Sequence, residues 1–150
     1  MEKQKVAIIG SREYINKRKI QEFIFKLKEK YNGEVIIVSG GAKYGADKYA
    51  KRFALDFELE YHEFPPYHES YNIHCVLERF FYGKPYNVGN YHSRNKKLVE
   101  HSDMVIAFVP KEVTNGTRSA IKYAEELGKI ILRLCPVFTL PSFVRFTNGL

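Results

Sequence analysis

Four short, continuous apolar runs punctuate the chain, at Val6 to Ile9, Val35 to Val38, Met104 to Val109 and Ile130 to Leu132. Each has the β-branched character of a strand buried on both faces, the pattern of a parallel sheet. Between the first two, Ile20, Phe23, Ile24, Leu27 and Tyr31 recur at helical spacing, and Asn32-Gly33 supplies a stop. After the second run, Tyr49, Ala50, Phe53, Ala54 and Phe57 form another apolar stripe. Leu59, Tyr61 and Glu63 to Phe64 make a third, more amphipathic strand that Pro65-Pro66 ends, as suits a sheet edge. Helices are predicted again at about Asn90 to His101 and Thr117 to Leu127. The latter turns Ala120, Ile121, Ala124 and Leu127 inward and is capped by Gly128.

The order is β-α-β-α-β, an insertion, then α-β-α-β. With right-handed crossovers it predicts an α/β, doubly wound, Rossmann-like, mostly parallel five-stranded sheet of order 3-2-1-4-5 with an aromatic-rich helical insertion. The switch point falls between the first and fourth strands, so ligand is expected over their carboxyl ends.

The insertion, Tyr67 to Tyr91, holds Tyr67, Tyr71, Phe80, Phe81, Tyr82, Tyr86 and Tyr91, and Ile73, Val76, Leu77 and Phe80 have helical spacing. Two readings stand: a short helix that covers the sheet or a subunit contact, and a lid that stacks an aromatic base. Residues Pro136 to Leu150 alternate apolar and polar around Phe143, Val144 and Phe146, and form an extension of this domain or reach a neighbouring subunit.

A chain of 150 residues with 45% hydrophobic and 15% aromatic content suits one domain, spanning 1–150, with a single sizeable core. Nothing approaches the roughly 20 apolar residues of a membrane span. The start runs directly into a strand without a signal-peptide segment, so a cytosolic (cytoplasmic) protein is expected. Cys75 and Cys135 stand far apart without metal-ligand spacing, and the five histidines, His62, His68, His74, His92 and His101, show none either. Neither a disulfide framework nor a metal site is indicated, and no cofactor is expected. The formal charge of +7 is compatible with nucleic acid or a polyanionic metabolite, but much of the excess lies in Lys17, Arg18, Lys19, Lys26, Lys28 and Lys30. Those positions read as the solvated outer face of the first helix.

Four elements carry candidate chemistry at strand carboxyl ends or the helix starts beside them. In Val35 to Asp47 an apolar run breaks into Ser39-Gly40-Gly41-Ala42-Lys43-Tyr44-Gly45 and re-emerges as a helix, leaving backbone N–H groups at its positive end where an anion binds well. Glycines are also what any tight strand-to-helix turn requires. Gly10-Ser11-Arg12 adds close backbone approach, a hydroxyl and a fixed positive charge, Arg94-Asn95 a second arginine, and Asn115-Gly116-Thr117 a further helix start. Each has a structural alternative as strand end, surface charge, dipole partner (Asp47) or N-cap (Asn115 and Thr117). Together they describe a phosphate-bearing ligand.

These motifs, with Ser102-Asp103-Met104-Val105-Ile106-Ala107-Phe108 between Arg94-Asn95 and Gly116-Thr117, occur in an order that resembles the SLOG superfamily, specifically its YspA-like branch. The resemblance covers most of the chain outside Tyr67 to Tyr91 and the last 15 or so residues. It implies a Rossmann-like domain binding nucleotides or nucleotide-derived signals, as in Lonely Guy phosphoribohydrolases, the DNA-processing protein DprA and sensors of NAD-derived molecules. Members are often dimers or larger; with the apolar last helix and tail, this implies a homodimer or higher homo-oligomer.

The enzymes of this kind place a glutamate three residues after a Gly-Thr pair, as do nucleoside deoxyribosyltransferases. Here Gly116-Thr117 and Arg94 match, but Pro110 is followed by Lys111-Glu112-Val113 and the glutamate position is Ala120. An alanine can neither stabilise an oxocarbenium-like transition state nor act as a base. Glu13, Asp47 and Glu112, on other loops, are the candidates for a substitute carboxylate. The expected function is binding of a nucleotide-type small molecule, as sensor or carrier. Cleavage or transfer of a nucleotide N-glycosidic bond is the alternative, with catalytic residues unassigned. Single-stranded nucleic acid comes third, and no membrane partner is expected.

Overall fold

The structure, a computed structural model, describes residues 2–109, 115–135 and 142–146. Strands β1 (Gln4–Gly10), β2 (Val35–Ser39), β3 (Glu60–Glu63), β4 (Met104–Phe108), β5 (Ile130–Cys135) and β6 (Ser142–Phe146) alternate with helices α1 (Lys17–Lys30), α2 (Gly45–Asp56), α3 (Gly89–His101) and α4 (Asn115–Glu126). They form one sheet of order β3-β2-β1-β4-β5-β6. The first five strands are parallel and follow the predicted order 3-2-1-4-5. β6, from the C-terminal segment, pairs antiparallel with β5, with Ile131 opposite Phe146 and Cys135 opposite Ser142. The alternation around Phe143 to Phe146 is therefore that of a sixth strand on this sheet.

Because successive strand residues face opposite sides, the core splits into two layers. Val6, Ile8, Val35, Ile37, Ile106 and Phe108 pack on one side against Ile20, Ile24 and Leu27 of α1 and Ala46, Ala50 and Phe53 of α2. On the other side, Ala7, Ile9, Ile36, Val38, Val105 and Ala107 meet Leu98 and Val99 of α3 and Ala120, Ile121 and Ala124 of α4. The continuous apolar runs are thus strands covered on both faces, as a parallel sheet demands. Asn16 starts α1 by accepting the Lys19 amide at 3.3 Å through Oδ1.

The insertion departs from a covering helix. Its regular structure is one 3₁₀ turn, Arg79–Phe81, together with an isolated parallel bridge between Glu63 and Cys75. Ile73, assigned by spacing to a helix face, is 86% exposed. The segment is fastened to β3 by backbone bonds from Glu63 N to the His74 carbonyl at 2.9 Å and from Val76 N to the Glu63 carbonyl at 3.2 Å. Around them lies a set of ring contacts, among them Tyr67 with Tyr82 and Phe80 with Phe81.

Candidate functional site

At the carboxyl end of β1, Gly10 lets two neighbours approach: a Cβ there would run into the Phe108 carbonyl and lie 2.7 Å from Ala46 Cβ. The chain then turns through Ser11. The hydroxyl of this buried residue accepts the Glu13 amide at 3.0 Å, and its carbonyl accepts Tyr14 N and Ala46 N, each at 3.2 Å. The Ala46 bond ties the start of α2 to the loop after β1. Arg12, next in line, is exposed, with its guanidinium carbon 5.5 Å from the Tyr91 ring centroid.

The glycine turn after β2 is shaped by its own side chains. Ser39 Oγ accepts the Gly41 amide at 3.3 Å and Asp47 Oδ2 accepts the Ala42 amide at 3.1 Å. Gly41 (φ +75°) and Gly45 (φ +71°) both adopt the left-handed conformation that favours glycine. The amides of Lys43, Tyr44 and Gly45 have no acceptor among the described residues, and the α2 N-cap residue Tyr44 offers no side-chain bond. Three consecutive donors therefore stand at the positive end of α2.

Arg94, on α3, reaches this turn from across the sheet. Its Nη1 donates to the Gly40 carbonyl at 2.6 Å and to the Phe64 carbonyl at 3.0 Å, while Nε donates to Asn95 Oδ1 at 2.9 Å. Part of the guanidinium is thus spent on bracing the turn. Asn95 passes the connection on, its Nδ2 donating to the Gly116 carbonyl at 3.3 Å, so the middle of α3 is joined to the start of α4. Thr117 is buried beside them, and only the backbone of Asn115 is described. Gly10, Ser11, Arg12, Ser39, Gly40, Gly41, Gly45, Asp47, Arg94, Asn95, Gly116 and Thr117 accordingly occupy one rim. Glu112 lies outside the described residues.

Asp47 sits against this rim, with Oδ2 3.0 Å from where a Gly40 Cβ would be. Burial pushes its carboxyl above the ordinary range, opposed chiefly by the positive charge of Arg94. Burial lowers Arg94 in turn, and Asp47 is the largest opposing influence. Each charge thus works against the effect of burial on the other without cancelling it.

Sequence reasoning missed a second carboxylate. Glu63 on β3 is 2% exposed; its Oε1 accepts Tyr61 OH at 2.7 Å and lies 3.3 Å from Lys51 Nζ, and its Oε2 accepts Asn72 Nδ2 of the insertion. It packs beneath the turn, since a Cβ on Gly41 would come within 2.6 Å of Glu63 Cδ. Burial, then the neighbouring Glu63 charge and hydrogen bond, push the Tyr61 hydroxyl pKa upward. One buried group therefore supports the glycine turn and fastens the insertion. Leu59, Tyr61 and Glu63 alternate onto the same buried face, and this period of two was the available signal.

Among the described residues, no group of three or more His, Cys, Asp or Glu could hold a metal ion, and no helix is long and apolar enough to cross a membrane. Ala120 is packed at 2% exposure among the apolar residues between α4 and the sheet, so no carboxylate stands at that position.

No family model matches the sequence, and no curated protein does. Solved structures do. DNA processing protein A from Helicobacter pylori, described for its single-stranded DNA binding mode, superposes with a TM-score of 0.67 at 24% identity over 93% of this chain and 68% of that one. The molybdenum cofactor binding protein from Rippkaea orientalis gives 0.68 at 21% identity, over 90% and 78%. The molybdenum cofactor carrier protein from Chlamydomonas reinhardtii gives 0.61 at 14%, over 88% and 76%. The chain thus has a Rossmann-like fold, similar to those of DprA and of molybdenum cofactor carrier proteins.

Proposed function

We propose that this chain, as a protein of the YspA-like kind, binds a nucleotide or nucleotide-derived ligand as a sensor or carrier. In this reading the phosphate rests on the amides before α2, ringed by Gly40, Gly41 and Gly45, and Arg12 with the remaining donors of Arg94 offsets its charge. The observation that carries the reading is the run of three amides, Lys43, Tyr44 and Gly45, without a protein acceptor at a helix N-terminus beside two arginines. Neighbouring folds that bind single-stranded DNA or molybdenum cofactor lend it support, since both are ligands larger than an inorganic anion.

Isothermal calorimetry with AMP, NAD and ADP-ribose tests the proposal. At least one should bind, and Arg12→Ala should weaken that ligand by roughly tenfold, the usual scale of a lost charge-assisted contact. No heat across the panel would contradict it.

A second reading, cleavage of a nucleotide N-glycosidic bond, is favoured by one observation: the Asp47 carboxyl, raised in pKa and set beside Gly40, is suited to proton transfer. Chromatography for free base after incubation with the same nucleotides separates the two. Release of base that Asp47→Asn abolishes would favour the enzyme.

A further inference from the structure

The aromatic insertion is not absorbed by a phosphate site, yet it meets that site at Tyr91. This α3 residue has the guanidinium carbons of Arg12 and Arg94 at 5.5 and 5.9 Å from its ring centroid, and Arg94 is the residue bonded to Gly40. From Tyr91 the rings continue outward: His68 lies 5.1 Å from it, and Tyr86 lies 4.7 Å from His68 and 6.4 Å from Tyr91. The outermost ring, Tyr86, is 70% exposed.

We infer that the exposed ring of Tyr86, backed by His68 and Tyr91 at interplanar angles of 49° and 72°, is a stacking platform for an aromatic nucleobase, connected through Tyr91 to the glycine turn. The inference rests on the phosphate reading above and adds to it the chemical class of the other half of the ligand.

Three observations carry it. The cluster is braced without a ligand: Asn90 Nδ2 at the start of α3 lies 3.2 Å from His68 Nδ1 and 3.5 Å from the Pro85 carbonyl, tying His68 to the backbone that precedes Tyr86. A ring held in place loses little freedom on stacking. The exposed member, Tyr86, is aromatic with a polar edge, which suits the flat face and hydrogen-bonding rim of a base better than an aliphatic chain. Finally, the cations lie at the inner end of the cluster, beside the turn, so charge is recognised at one end and a ring at the other.

The test compares AMP and GMP with ribose 5-phosphate, which keeps the phosphate and lacks the base, by calorimetry on the full chain. The nucleotides should bind about tenfold or more tightly than ribose 5-phosphate, the scale of one base stacked on one ring. Tyr86→Ala should remove most of that advantage and leave ribose 5-phosphate unchanged, whereas Tyr86→Phe should retain it. An unaltered urea midpoint for Tyr86→Ala shows that its effect is not unfolding. Equal nucleotide affinity in the wild type and Tyr86→Ala would overturn the platform and leave the phosphate reading standing. No binding of nucleotides or of ribose 5-phosphate would overturn both.

Discussion

Gly45 carries two constraints at once, and they set it apart from a glycine that merely ends a helix. Its φ is +71°, and a Cβ would strike the Ser11 carbonyl and the Arg12 backbone. Gly33 has a comparable φ of +80° with nothing within 4 Å. Gly33→Ala should therefore cost about 1 kcal/mol, the left-handed penalty alone. Gly45→Ala adds a backbone clash and should cost about 3 kcal/mol or more. Urea denaturation of the two variants checks this, and equal losses would show that Gly45 is only a turn residue. At this scale the sequence was informative about the glycines, serines and arginines of the rim, whose motifs announce them. It was uninformative about how Arg94 divides its donors, because contacts with the carbonyls of Gly40 and Phe64 join residues 54 and 30 positions apart.

Among the elements, those made of continuous apolar runs were legible, since burial on both faces leaves no other use for such segments. The insertion was not. Ile73, Val76, Leu77 and Phe80 match a helical period, but Ile73 and Phe80 are exposed, and backbone bonds to β3 with local ring packing hold the segment instead. The edge strand β3 also supports a pH-dependent contact with α3. His62 Nδ1 and His101 Nε2 are 2.9 Å apart, with Phe64 against His101, Glu60 3.7 Å from His62, and Lys3, Lys5 and Asp103 close enough to act on the pair. Burial and then the facing His62 lower His101 to about 4, and burial lowers His62 as well.

Both pKa values are depressed relative to about 6.5 in the unfolded chain, so the unfolded state binds protons first as pH falls. Stability contributed by the neutral pair is complete above about pH 6.5 and is lost progressively toward pH 4. With solvent screening at a half-buried pair, the loss is on the order of 1–2 kcal/mol. The urea midpoint should fall between pH 7 and pH 5 by more in the wild type than in His101→Gln. An identical fall in both would refute the assignment.

Taken as a whole molecule, the chain spreads the charge of α1 along the helix and does not gather it at the site. α1 begins beside the carboxyl edge of the sheet and runs back toward the amino edge, so Lys17, Arg18 and Lys19 start at the site's end while Lys26, Lys28 and Lys30 end far from the glycine turn. The +7 charge is thus a poor guide to the site, and the rim's own residues are the better one. The fold it shares with DprA and the molybdenum cofactor carriers is an open, mainly parallel sheet, and sheets of that kind have their ligand crevice at the strand carboxyl ends.

The most direct test of that central claim is a titration of the isotope-labelled chain with AMP and with ADP-ribose, followed by amide NMR. The account predicts the largest shifts at Lys43, Tyr44 and Gly45, with Arg12 moving alongside and the amides of Lys26 and Lys30 static. Saturable shifts that spare the glycine turn, or that follow α1, would contradict it.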